Sequence, residues 1–242
     1  MNSGQTGELI RSCETFPCAD GFSMKCYISR PRVSRKLPSL LFVYEAFGLN
    51  SEMKRLADDL AMQDYGVMIP DLFSRGSWFS CIRKLMHDLK AESGQGVSDL
   101  LEARKWLIGQ DYAEPDRVGV MGFCMGGGFA LLLSKTGLFR VSAPFYGQVP
   151  KTLEGACPIV GSYGERDAMT RKDAHRLQQE VQRLGIPSDV KIYPDAGHSF
   201  MNEAPNLILK VLGPWLPPHA AYDAQVAADA SRRLVSFLRE HL

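Results

Sequence analysis

The sequence predicts an α/β fold: a mostly parallel, doubly wound sheet with helices on both faces. Three observations predict it. Short, continuously apolar or β-branched runs alternate along the chain with longer amphipathic stretches, which is the pattern of strand–helix–strand units. One such run, Val118-Gly119-Val120-Met121, breaks at Gly122-Phe123-Cys124-Met125-Gly126 and resumes as an apolar stretch to Leu133. That is a strand, a tight turn with one thiol at its apex, and a buried helix. Finally, Glu45, Arg75, Cys124, Asp167 and His198 each fall just past a predicted strand end, where open α/β sheets place their sites.

The elements follow in order. Residues 8–30 read as an edge hairpin turning at Ala19-Asp20-Gly21, with Phe22, Met24 and Cys26 alternating against Ser23 and Lys25. Pro31 to Pro38 is a polar loop, and Ser39–Tyr44 is a continuous apolar strand suited to a sheet covered on both faces. Asn50 or Ser51 caps a helix whose apolar face is Met53, Leu56, Ala57, Leu60 and Ala61. Gly66–Pro70 is the next strand, with Asp71–Gly76 as its loop. Residues 77–110 are helical with a break near Ser93-Gly94-Gln95-Gly96, and Pro115-Asp116-Arg117 leads into the elbow strand. Beyond the elbow helix come strands at Arg140–Phe145, Cys157–Tyr163 and Asp189–Pro194, with a helix over about Arg171–Leu184 between the last two. Residues 205–220 read as proline-interrupted and irregular, and Tyr222–Leu242 as a closing amphipathic helix.

Composition bounds the function. At 242 residues and 45% hydrophobic content, the chain suits one domain over 1–242, since such folds run to about 250 residues undivided. Lys and Arg number 28 against 27 Asp and Glu, which gives no electrostatic case for nucleic acid or a membrane surface. Residues 1–20 lack a cationic start followed by an apolar core, so no secretory signal is expected. No window approaches about 18 uninterrupted apolar residues, so no membrane span is expected. Cys13, Cys18, Cys26, Cys81, Cys124 and Cys157 are scattered without a CxxC pair. They read as free thiols of a cytoplasmic protein, with no metal site and no cofactor.

The turn around Cys124 has the spacing of a nucleophile elbow, G-x-S-x-G with Cys for Ser. Glycines allow the close backbone approach such a turn needs. The apex thiol then stands at a helix N-terminus, whose partial positive charge favours a thiolate. A cysteine nucleophile needs a base, and the base an orienting group. The order Cys124, Asp167, His198 is that of α/β-hydrolases. Of the five histidines, only His198 follows glycine in a loop directly after a strand. Glu165 and Asp195 compete with Asp167 for the acid. Backbone N–H groups of Met125 and Ala46 are the expected oxyanion donors.

On these residues the chain resembles the dienelactone hydrolase (carboxymethylenebutenolidase) family. The matching pieces are Tyr44-Glu45-Ala46-Phe47-Gly48-Leu49-Asn50, Pro70-Asp71-Leu72-Phe73-Ser74-Arg75, Gly122-Phe123-Cys124-Met125-Gly126-Gly127, Gly164-Glu165-Arg166-Asp167 and Gly197-His198-Ser199-Phe200. They spread over roughly residues 10–240. The resemblance implies an α/β-hydrolase fold and a Cys124–His198–Asp167 triad opening a small enol-lactone through an acyl-enzyme. It implies that Glu45 contacts the resting thiol, is displaced by an anionic substrate and then takes the thiol proton. It implies that Arg75 binds a substrate carboxylate through its guanidinium fork. The family's second such arginine corresponds to Asn202, a departure that opens the substrate class toward neutral or differently shaped esters. Phe47, Trp78 and Tyr146 are candidate pocket-lining aromatics. The expected partner is a small lactone or ester bearing a carboxylate, with the protein a monomer or weak oligomer.

Two other readings are weighed against this one. A thioesterase or peptidase on the same fold would have no need of Glu45 and Arg75. A non-catalytic redox sensor using Cys124 would have no need of an acid orienting His198.

Overall fold

Apolar periodicity and capping signals place most elements where local physics directs them. The computed structural model describes residues 8–202 and 219–242. By contact density the chain divides into a first unit, Met1–Phe42 with Phe47–Val118, and a second, Val43–Ala46 with Gly119–Leu242.

In the first unit, β1 (Leu9–Pro17) and β2 (Ser23–Pro31) form the expected antiparallel hairpin, with Leu9 opposite Pro31 and Pro17 opposite Ser23. β2 also pairs antiparallel with β4 (Gly66–Pro70), and β4 pairs parallel with β3 (Leu37–Val43). Every residue of β3 and β4 is buried. Helix α1 (Ser51–Ala61) starts at Asn50, whose side chain accepts the Met53 N–H at 3.0 Å, and buries Met53, Leu56, Ala57, Leu60 and Ala61. A 3₁₀ turn, Leu72–Arg75, precedes α2 (Trp78–Ala91) and α3 (Gln95–Ile108). The break between α2 and α3 has a side-chain cause. Gly94 stands at the α3 N-cap without a side chain of its own, and buried Asp88 of α2 accepts the Gly96 N–H at 2.9 Å. One helix thus caps the next.

In the second unit, the elbow strand β5 (Ala113–Phe123), which begins in the first unit, leads into α4 (Met125–Ser134). β6 (Ser142–Phe145), β7 (Ile159–Gly164), α5 (Arg171–Leu184), β8 (Ser188–Tyr193) and α6 (Ala224–His241) follow. The pairs β5–β6, β6–β7 and β7–β8 are all parallel. Half-buried Arg233 of α6 holds that helix down, donating to the Asp189 side chain and backbone carbonyl and to Ser162 Oγ. The strand order is β1-β2-β4-β3 in the first unit and β5-β6-β7-β8 in the second, the α/β pattern of mostly parallel strands that the sequence predicts.

The departures are local. β5 starts at Ala113, ahead of the Pro115-Asp116-Arg117 stretch read as a lead-in. Those three residues are exposed, and proline is tolerated at a strand's exposed end where no buried ladder bond is lost. β6 opens at Ser142, two residues later than expected. The irregular segment read over 205–220 lies, as far as residue 218, outside the described residues.

Candidate active site

The site grows from the elbow. Cys124 directly follows β5 and caps α4 with φ 54° and ψ −116°, a positive-φ conformation that a residue with a Cβ adopts at an energetic cost. Its N–H donates to Phe145 O at 3.0 Å and its carbonyl accepts from Gly128 at 3.1 Å, so the main chain is fixed on both sides of the thiol. The flanking glycines are required by close approach. A Cβ on Gly122 would lie 2.3 Å from the Gly126 carbonyl, and one on Gly126 would lie 2.1 Å from Val43 O. The segment Val43–Ala46, which carries Glu45 and Ala46, therefore packs backbone to backbone against the elbow. Met125 is the first residue of α4, where helix geometry leaves the N–H without an intrahelical partner.

The base and acid meet in the second unit. His198 Nδ1 lies 2.6 Å from Asp167 Oδ2, with both side chains buried. Asp167 also accepts the Met169 N–H on Oδ1 at 2.9 Å and the Thr170 hydroxyl on Oδ2. Burial opposes its charge, but His198, Thr170 and Met169 prevail and hold the carboxyl below its usual range. Burial likewise opposes a charged imidazole, yet Asp167 and Cys124 outweigh it and raise His198 to about 10. His198 Nε2 is buried and has no hydrogen-bond partner among the described residues. The competing acids go elsewhere: Glu165 pairs with exposed His175 at 2.9 Å, and Asp195 is exposed.

Glu45 is buried, and its Oε2 accepts from Asn202 Nδ2 at 2.9 Å and from Ser199 Oγ at 3.4 Å. The same Asn202 nitrogen reaches the Tyr146 hydroxyl at 3.1 Å. The Tyr146 ring stands 4.8 Å from the His198 ring and 5.2 Å, edge-on, from Phe200. Burial, then Glu45 and Cys124, keep the Tyr146 phenol protonated well above its ordinary range. Buried Glu45, Tyr146, Asp167, His198 and Asn202 thus form one constellation beside half-buried Cys124.

The other expected site residues belong to the first unit. Arg75 donates through Nε and Nη2 to Asp99 at 2.6 and 2.7 Å, and through Nη1 and Nη2 to Asp20 at 2.8 and 3.0 Å. Its guanidinium also lies over the Phe22 ring. All three nitrogens of the fork expected to hold a substrate carboxylate are therefore engaged by carboxylates of its own unit. Phe47 and Trp78 are 46% and 52% exposed, in the turn after β3 and at the head of α2.

Sequence reasoning missed Thr170 and Ser199. Thr170 directly precedes a predicted helix, a position that reads as an ordinary N-cap. Ser199 lies within the Gly197–Phe200 piece that carries the resemblance, but nothing in that piece assigned it a role. Among the described residues no cluster of three or more His, Cys, Asp or Glu is arranged to hold a metal ion, and no helix is long and apolar enough to cross a membrane.

The model of the dienelactone hydrolase family matches residues 24–242. A Methylorubrum extorquens protein provisionally named a carboxymethylenebutenolidase is 25% identical, the match covering 96% of this chain and 82% of that one. A Bradyrhizobium protein named "Probable 2-oxo-3-(5-oxofuran-2-ylidene)propanoate lactonase" is 27% identical over 75% of this chain and 80% of its own. The crystal structure of a dienelactone hydrolase-like promiscuous phosphotriesterase from metagenomic libraries superposes with a TM-score of 0.81 at 21% identity, covering 97% of this chain and 99% of that one.

Proposed function

The chain belongs to the dienelactone hydrolase family, and from that premise we propose that it is a carboxylic ester hydrolase in which Cys124 attacks a small ester or lactone. The observation that carries this reading is the positive-φ cysteine at the elbow together with a buried His198–Asp167 pair whose outer nitrogen has no hydrogen-bond partner among the described residues.

The steps follow from these groups. The Cys124 thiol proton passes to His198 Nε2, a transfer favoured by the raised basicity that Asp167 and Cys124 give the imidazole despite burial. A carbon–sulfur bond forms, and the oxyanion is held by the Met125 and Ala46 N–H groups. The carbon–oxygen bond then breaks, and His198 returns the proton to the leaving oxygen, which in a lactone stays on the same molecule. Water attacks the resulting thioester and gives one proton to His198. The carbon–sulfur bond breaks, and that proton returns to sulfur. Asp167 holds the imidazole tautomer throughout. Asn202 and Ser199 hold Glu45, and Tyr146 completes that polar group beside the imidazole.

The lactonase name of the Bradyrhizobium relative supports a lactone. The engagement of Arg75 by Asp99 and Asp20 supports a substrate whose recognition does not depend on a carboxylate. Purified protein is expected to hydrolyse p-nitrophenyl acetate and a neutral enol-lactone, with a thioester on Cys124 trapped by mass spectrometry. Cys124→Ala should remove turnover, and full activity in that variant overturns the mechanism.

A further inference from the structure

We infer that Thr170 is a positioning residue for the acid–base pair, its hydroxyl diverted from the helix end where it stands to the Asp167 oxygen that also holds His198. Thr170 is the N-cap of α5 and is buried. A threonine there ordinarily accepts an N–H of the first helical turn through its side chain. This one accepts none; its Oγ1 donates to Asp167 Oδ2. Helix α5 thus forgoes a cap that its sequence supplies.

What the hydroxyl does instead follows from the donors on Asp167. Oδ1 takes the Met169 N–H at 2.9 Å, and Oδ2 takes both Thr170 Oγ1 and His198 Nδ1, the latter at 2.6 Å. Donors on both oxygens pin the carboxylate plane, so Oδ2 faces the imidazole without a rotational search. The hydroxyl also shares the negative charge of Oδ2 and limits how tightly that oxygen holds an imidazolium. Thr170 reaches this position because the backbone folds it there: the Arg171 N–H donates to Asp167 O at 3.0 Å, turning the chain from acid to helix in one step. Among the described residues, the charged and titratable groups around the imidazole are Asp167 after β7, Cys124 at the elbow and Tyr146 after β6. Glu45 stands beyond Tyr146, held by Asn202 and Ser199.

The test uses Thr170→Val, which keeps the shape and removes the hydroxyl, and Thr170→Ser, which restores it. The His198 titration is followed by NMR in a Cys124→Ala background, where sulfur no longer raises the midpoint. Thr170→Val should raise the midpoint by about 0.5 pH unit, roughly a threefold change in proton affinity, and Thr170→Ser should return it to the parent value. With Cys124 intact, kcat for p-nitrophenyl acetate should fall about tenfold in Thr170→Val, the equivalent of one lost hydrogen bond. KM should hold, because Thr170 touches Asp167 rather than substrate, and Thr170→Ser should recover kcat to within about twofold. A cap-only role would lower Tm and leave the titration unmoved. An unmoved midpoint therefore overturns the inference whatever the Tm, and so does failure of Thr170→Ser to restore it. If Thr170→Val does not fold, Thr170→Ala is read by the same criteria. The inference rests on the ester-hydrolase reading, but the titration needs no turnover. Cys124→Ala retaining activity overturns that reading, whereas an unmoved midpoint overturns only the role of Thr170.

Discussion

Replacing Gly126 by alanine puts the elbow geometry at risk in a way that can be worked out in advance. The new Cβ would lie 2.1 Å from Val43 O, 2.6 Å from Val43 C and 2.7 Å from Tyr44 O. All three are backbone atoms, so no rotamer change relieves them. Bringing the closest contact out to 3.0 Å, a limit real Cβ atoms essentially never cross, parts the two backbones by about 0.9 Å (3.0 minus 2.1). Overpacking of this kind costs about 1–3 kcal/mol, and each kcal/mol lowers Tm by roughly 2–4 °C in a chain of this length. Activity should suffer more. The displaced segment Val43–Ala46 carries Glu45 and the Ala46 N–H, while α4 carries Met125 and follows Cys124. Misplacing such groups by about 1 Å costs on the order of 100-fold in rate. Steady-state hydrolysis of p-nitrophenyl acetate and a thermal melt measure the two effects. Gly185→Ala is the control: its φ of +63° strains an alanine, but nothing lies within 4 Å of the new Cβ. It should lose about 1 kcal/mol of stability and keep full kcat/KM. Wild-type kcat/KM in Gly126→Ala would refute the claim that this contact sets the site.

Two further outcomes separate structural from catalytic roles. Arg75→Ala strips two donors from Asp99, which is only 2% exposed and keeps Gln95 Nε2 at 2.9 Å. Removing one member of a buried pair costs about 3–5 kcal/mol; with the arginine side chain 17% exposed, the lower end is expected by urea unfolding. The loss of kcat/KM should be equal for neutral and carboxylate-bearing esters, and a selective loss for the anionic ester at unchanged stability would make Arg75 a substrate clamp after all. His198 is raised from 6.5 to about 10, with Asp167 and Cys124 overcoming burial, so its contribution to stability is complete below about pH 6.5 and is lost as pH rises through about 10. The depressed Asp167 has the opposite sign: its contribution is present above 3.8 and is lost as pH falls below that value. NMR should place the His198 midpoint far above 6.5 and show it falling in Asp167→Asn; a midpoint near 6.5 in the wild type contradicts the coupling.

Much of this molecule was legible in its residues because local physics decides it. The five apolar positions of α1 and its Asn50 cap follow from helical period and side-chain reach, and the structure buries and caps those same residues. The elbow glycines announce themselves because only a residue without Cβ tolerates a carbonyl at 2.1–2.3 Å. The Asp88 cap of α3 was invisible, since its oxygen comes from the preceding helix across the break.

By itself, then, the sequence determined the mostly parallel α/β architecture, the order of its elements and a short list of chemical groups at strand ends. Only the tertiary structure decided which partners those groups take. Asn202 finds Glu45 across 157 positions of chain, Arg75 finds Asp20 across 55, and Thr170 turns from its own helix to the acid beside it. The physical reason is that a polar side chain has several acceptable partners of similar energy. Local pattern fixes which face it occupies, and packing of distant segments fixes which partner is within 3 Å when water is excluded.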